Sequence, residues 1–144
     1  MSINYDVAEK RILPVLFKHD RKNTIFYSYW LSHLAYALAC FKEVQNDAFC
    51  ISRAHRFDNF VDFKSCMMRS YILDHLNAVL PISNEGLIEI EKRMLPYSQN
   101  KNIRLEVHHL GVNLPVSSNP PSSADDYQIV SCSYIWKIKR LDIT

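Results

Sequence analysis

The apolar positions fall into two regimes, a helical one up to Pro96 and an alternating one beyond it. Within residues 4–18, Val7, Ile12, Leu13, Leu16 and Phe17 recur at helical spacing, with Asn4 or Asp6 available as a cap. Pro14 removes a backbone donor, so it kinks this helix or opens a second short one. A charged turn over 18–23 follows. Asn23 and Thr24 then cap a run to Phe41 that carries no formal charge. A helix apolar nearly all round is a buried one. The run therefore predicts the central helix of the domain or an oligomer interface. Residues 45–56 show no clear period: the short apolar stretch 48–51 leads into Arg53, His55 and Arg56. From 57 to 80, Phe57, Phe60, Val61, Met68, Ile72, Leu76 and Val79 predict a helix that Pro81 ends. Ser83 caps the next, which runs to Leu95, with Ile82 and Leu87 placed for a hydrophobic staple.

Ile103, Leu105 and Val107 then alternate with Arg104, Glu106 and His108, the pattern of a half-buried strand. Gly111 bends it, and residues 115–126 form a polar, proline-containing loop. Residues 127–141 alternate again, with Val130, Cys132, Tyr134, Trp136 and Ile138 on one face. The pattern predicts an α+β fold in one domain over 1–144. Four or five helices, bundle-like through 1–96, precede a small antiparallel hairpin over 103–141.

Composition narrows the function. Hydrophobic residues make up 48% of the 144 positions, enough apolar surface to exclude general disorder. Gly86 and Gly111 are the two glycines, where ordinary usage near ~7% gives about ten. That excludes glycine-rich phosphate loops, dinucleotide fingerprints and nucleophile elbows, so no cofactor is expected. Seventeen Lys and Arg against fifteen Asp and Glu leave a charge of +2, too even for a dedicated nucleic-acid binder. The basic clusters Arg53 and Arg56, and Lys137, Lys139 and Arg140, are candidate phosphate contacts. Cys40, Cys50, Cys66 and Cys132 lie far apart with no leader-like segment before them, which predicts reduced thiols and a cytoplasmic protein. The uncharged run is short of the ~20 residues of a membrane span and contains Ser28, Ser32 and His33, so no membrane partner is expected.

Two patterns carry candidate chemistry. Arg69 and His75 enclose five residues, R-S-Y-I-L-D-H, which resembles the Arg-x(4–6)-His motif of the HEPN ribonucleases. The resemblance implies metal-independent RNA cleavage at a dimer interface. Arg69 would then be the electrostatic clamp on the phosphorane and His75 the acid/base, with Ser70 orienting a phosphate. The order of elements over 57–140 resembles a winged helix-turn-helix. That implies a recognition helix at 84–95 and a wing at 111–127, used for DNA or for protein docking. Glu85, Glu89 and Glu91 on that helix would repel phosphates. Asp58 and Asp62, one turn apart, read as a solvated helix edge. His108 and His109 are adjacent on a strand and point to opposite faces, so no metal is expected.

No self-sufficient catalytic motif remains. The sequence therefore predicts a non-catalytic protein that works by contact. It would be a subunit, adaptor or inhibitor of a larger, possibly nucleic-acid-handling assembly, or an oligomer of itself. Tyr27, Tyr29, Trp30 and Tyr36 are the expected contact surface, since Tyr and Trp are enriched at interfaces.

Overall fold

Short apolar runs separated by helical segments are also the signature of parallel strands joined by crossover helices, and that is how this chain folds. The structure, a computed structural model, describes residues 5–59 and 63–111. The chain divides into two compact units after Gly111, and all described residues belong to the first. The expected loop at 115–126, the strand at 127–141 and the wing beyond Gly111 lie outside the described residues.

The elements run α1 (Tyr5–Val7), a π-helical turn (Ala8–Ile12), α2 (Leu13–Leu16), β1 (Ile25–Ser28), α3 (His33–Val44) and β2 (Phe49–Ala54). Then come α4 (Arg56–Asn59), α5 (Phe63–His75), β3 (Ala78–Pro81), α6 (Asn84–Arg93), a 3-10 turn (Leu95–Tyr97) and β4 (Arg104–Leu105). The strands form one parallel sheet in the order β1-β2-β3-β4. The fold is α/β, built from β-α-β units, and the expected helical bundle with an antiparallel hairpin is incorrect.

Each correction has a local cause. The uncharged run after Asn23 is a strand and a helix in series, because Ile25, Phe26, Tyr27 and Ser28 alternate exposed and buried. The helix begins only after Ser32. The indeterminate stretch at 48–51 opens β2. The long helix expected to Pro81 stops at His75. Asn77 there bonds β2 twice, its side chain accepting from the Cys50 amide at 2.8 Å and its own amide donating to the Cys50 carbonyl at 2.9 Å. Ala78–Pro81 is thereby pulled into the sheet as β3. Arg104–Leu105 pairs parallel with β3 rather than within a hairpin. Near the N-terminus, Pro14 has no donor, and the chain accommodates this with a wider turn in which the Leu13 amide reaches the Ala8 carbonyl. Ser83 does cap α6, its hydroxyl accepting from the Gly86 amide at 3.1 Å.

A sheet extended always in one direction by right-handed crossovers carries all its connecting helices on one face. Phe26, Cys50 and Val79 point into that covered side. There they meet Leu38 and Phe41 of α3, Ile72 and Leu73 of α5, and Ile90 of α6 in one core. Small residues let the layers approach closely: Ser28, Ser52, Ala54, Ala35 and Ala39 are all buried. The two serines satisfy themselves locally, Ser28 on the Trp30 carbonyl at 2.6 Å and Ser52 on the Ser28 carbonyl at 3.3 Å. Among the described residues, no helix lies over the opposite face of the sheet.

Candidate functional site

Two features meet along β2, a buried polar cluster at its C-terminal end and the uncovered face of the sheet. The cluster begins where β2 leaves the sheet. Asp58 and Arg69 are both 0% exposed. One Asp58 carboxylate oxygen accepts from the His55 amide at 3.0 Å, and the other stands 3.9 Å from the Arg69 guanidinium. Arg69 donates from Nε to the Leu31 carbonyl at 3.1 Å. Arg69 thus ties the loop after β1 to the start of α4 from a position on α5. Beside it, Ser70 donates to the Met94 carbonyl at 2.8 Å, binding α5 to the end of α6.

His55 lies beneath the loop that follows β1 and is 6% exposed. Its ring is 4.1 Å from the Trp30 ring and 4.7 Å from the Tyr29 ring, centroid to centroid. A substrate reaches this imidazole only if those rings move. One ring nitrogen bonds the Tyr29 backbone, while Nε2 is buried without a hydrogen-bond partner. Arg53 Nε and Asp58 Oδ1 are likewise buried without a hydrogen bond, Asp58 Oδ1 having only the Arg69 charge at 3.9 Å. These atoms lie within one six-residue stretch, in a class of groups that is nearly always satisfied.

Burial sets the ionisation here. It raises the Asp58 pKa against the pull of the His55 and Leu31 amides and of Arg69. It lowers the His55 pKa, helped by the Arg53 charge and opposed by Asp58 and the Tyr29 hydrogen bond. With its folded value below the ordinary 6.5, His55 takes up its proton more readily in the unfolded chain. Its contribution to stability is complete above the unfolded value and is lost as pH falls from there toward the lowered folded value. Asp58 has the opposite sign: its contribution is complete below its unfolded value and is lost as pH rises through the raised folded one. In urea unfolding, wild type is therefore expected to lose more stability between pH 7 and pH 5 than His55→Gln, since the opposing slope of Asp58 is common to both. An equally steep fall in the variant would show that His55 does not titrate in this way.

The uncovered face is built by alternation. On β1, Ile25 is 66% and Tyr27 45% exposed; on β2, Phe49 is 48% exposed. Ile51 and Arg53 of β2 and Leu80 of β3 stand half-exposed on the same side. The register aligns Tyr27, Ile51, Ala78 and Arg104 in one row across the strands. The next row holds Arg53 and Leu80, and Glu106 follows one step beyond the Val79–Leu105 pair. Between the rows is a hollow of 340 Å³ over Ala78, the smallest side chain there, walled by Phe49, Ile51, Leu80, Arg104 and Glu106. Arg104 donates from Nε to Glu106 at 2.9 Å, and His108 Nε2 lies 3.2 Å from the same carboxylate.

The expected residues are distributed unevenly over this geometry. Tyr27 is on the open face, and Tyr29 and Trp30 extend from its C-terminal end, their rings 5.7 Å apart. Tyr36 is elsewhere: it packs in the helical layer, 4.9 Å from the Tyr5 ring and 5.6 Å from the Tyr71 ring. Burial raises the Tyr36 and Tyr71 hydroxyl pKa values, with Cys40 adding to both and Glu43 to Tyr71, so both phenols stay neutral. Arg53 is on the open face and Arg56 exposed just past its end, while Lys137, Lys139 and Arg140 lie outside the described residues. Arg69 and His75, six residues apart on α5, have ~9 Å of helix rise between them. Arg69 is buried against Leu31 and Asp58, and His75 Nδ1 sits 2.9 Å from the Tyr71 carbonyl. Asp58 is buried rather than on a solvated edge, and Asp62 lies outside the described residues. Sequence reasoning missed Phe49, Ile51 and Leu80. The signal for the first two was present in the alternation of Phe49, Ile51 and Arg53 with Cys50, Ser52 and Ala54.

Among the described residues, no group of three or more His, Cys, Asp or Glu is placed to hold a metal ion. Cys40 and Cys50 are free thiols, and burial pushes the Cys50 pKa up to about 11. No described helix is long and apolar enough to cross a membrane. No protein family, curated protein or solved structure matches the chain.

Proposed function

We propose that this chain is a non-catalytic contact protein of the cytoplasm whose working surface is the open face of its sheet. One observation carries the reading. Parallel sheets are ordinarily covered on both faces, yet here Ile25, Tyr27 and Phe49 stand exposed on the face that no described helix covers. Apolar side chains concentrated on a rigid sheet are the ordinary anchor of a protein–protein contact. The occupant is a protein surface rather than a nucleic acid, because Ile25, Tyr27 and Phe49 make the face largely apolar and the Glu106 carboxylate offsets the Arg104 charge. The buried cluster of Asp58, Arg69 and His55 supports this surface by fixing the loop that carries Tyr29 and Trp30. The ribonuclease reading draws no support from Arg69, whose guanidinium is enclosed by the protein.

The test is Ile51→Glu, which puts a charge in the middle of the face without touching the core. Association of the full chain, with itself or with a stoichiometric partner from its native host, is expected to be lost. Circular dichroism is expected to be unchanged. Association that survives the substitution in a folded variant overturns the reading.

A further inference from the structure

The open face is complementary to itself, and the geometry points to a second copy of this chain as its occupant. The inference rests on the contact reading above and specifies the partner. We place a two-fold axis in the plane of the interface, running across the strands between the Tyr27–Arg104 row and the Arg53–Glu106 row. Such an axis reverses strand direction and exchanges the two rows between copies. Each Arg104, which also donates to Glu106 of its own copy, then stands opposite the other copy's Glu106, so that the four groups alternate in charge around the axis. The same operation seats each Leu80 over the other copy's Ala78, which is the floor of the 340 Å³ hollow. Charge and shape are therefore matched by one symmetry operation, as an isologous interface requires.

The rest of the face is compatible with this pairing. Aligned sheets pack ~10 Å apart with their strands within about 30° of each other. Ile25, Phe49 and Ile51 supply apolar filling for that gap. Arg53 Nε is buried without a hydrogen-bond partner within one copy. In the pair its stem lies along the other copy's Ile51, beside the ring of Tyr27, where a guanidinium is favourably placed. Arg104 holds the Glu106 carboxyl below its ordinary pKa, with His108 adding to the effect, so the carboxylate is available at neutral pH. The chain's net charge of +2 offers little repulsion between copies.

Sedimentation and light scattering of the full chain test the proposal. Wild type at micromolar concentration is expected at twice the 16.9 kDa chain mass. Arg104→Glu places like charges opposite each other twice per dimer and is expected to weaken association by about tenfold or more. Glu106→Arg should do the same. The double variant Arg104→Glu/Glu106→Arg restores the pairing in reverse and is expected to return association to near the wild-type level. Arg104 is exposed and Glu106 half-exposed, so all three variants are expected to keep the fold, which circular dichroism checks. A wild-type monomer at high micromolar concentration overturns the proposal. So does a dimer indifferent to both single reversals, or one that the double variant fails to restore. If the chain is monomeric yet binds a different protein in a manner that Ile51→Glu abolishes, the second copy is wrong and the contact reading stands. If Ile51→Glu changes no association of any kind, both fail.

Discussion

Arg69→Ala is expected to destabilise the protein by about 3–5 kcal/mol, the usual result of breaking a buried ion pair by removing one partner. The stability of a whole domain is only about 5–15 kcal/mol, so the variant should be largely unfolded at physiological temperature. Three losses act together. Asp58, fully buried, keeps its carboxylate without the neighbouring cation. The Leu31 carbonyl loses its donor. A cavity opens under α5 where a long side chain had been. Urea denaturation measures the change. Removing the charge on both sides, as Asp58→Asn/Arg69→Met, should recover part of the loss, because no uncompensated buried charge remains. A loss below ~1 kcal/mol in Arg69→Ala would show that the guanidinium is dispensable to the fold, and would reopen a role for it in chemistry.

Phe41→Ala is the second large effect, expected at about 3–5 kcal/mol for a buried phenylalanine. The Phe41 ring lies 4.9 Å from Phe26 of β1 and 5.1 Å from Phe17 at the end of the N-terminal helix. It therefore joins three elements that are distant in sequence, and no single neighbour can collapse into the space it leaves. Phe17 shares the edge-on contact but is 47% exposed, so Phe17→Ala is expected to cost only about 1 kcal/mol. Thermal melts of the two variants side by side check the contrast. Equal losses would mean that the ring contact, rather than burial, sets the energy.

The same contrast between local pattern and assembled layers explains where the sequence was legible. Helix α6 was readable because all its information is local: Ser83 caps it, its apolar positions recur at helical spacing and Pro96 closes it. The alternation of Arg104 and Glu106 with Leu105 was readable for the same reason, although its pairing partner was not. The run from Ile25 to Phe41 misled because a short strand followed by a buried helix carries no charge anywhere, and neither do the residues of one long buried helix. The segment ending at Pro81 misled because Ala78 and Val79 prolong a helical apolar pattern. Only the two hydrogen bonds between Asn77 and Cys50 show that the chain has already turned.

The candidate surface was half legible. Tyr27, Tyr29 and Trp30 stand out in any reading for interface aromatics. Tyr36 fits the same composition but lies in the helical layer, since composition does not distinguish two faces. Arg69 was legible as an unusual residue on an apolar helix. Its role as a buried tie depends on Leu31 and Asp58, which are 38 and 11 positions away and meet it only through the fold.

The sequence by itself determined that the chain has apolar surface enough for a packed domain, two glycines where a glycine-rich loop needs more, a near-even charge and many interface-type aromatics. These properties are sums over residues or patterns within one turn of chain, and they do not depend on what packs against what. Only the tertiary structure decided that the strands are parallel, that the described crossover helices lie on one side, and that Ile25, Tyr27 and Phe49 stand exposed on the other. That outcome follows from strand order and the right-handedness of crossovers, which join residues 25, 49, 78 and 104 into neighbouring strands. No local window contains that adjacency, so the surface on which the proposed function rests exists only once the sheet has formed.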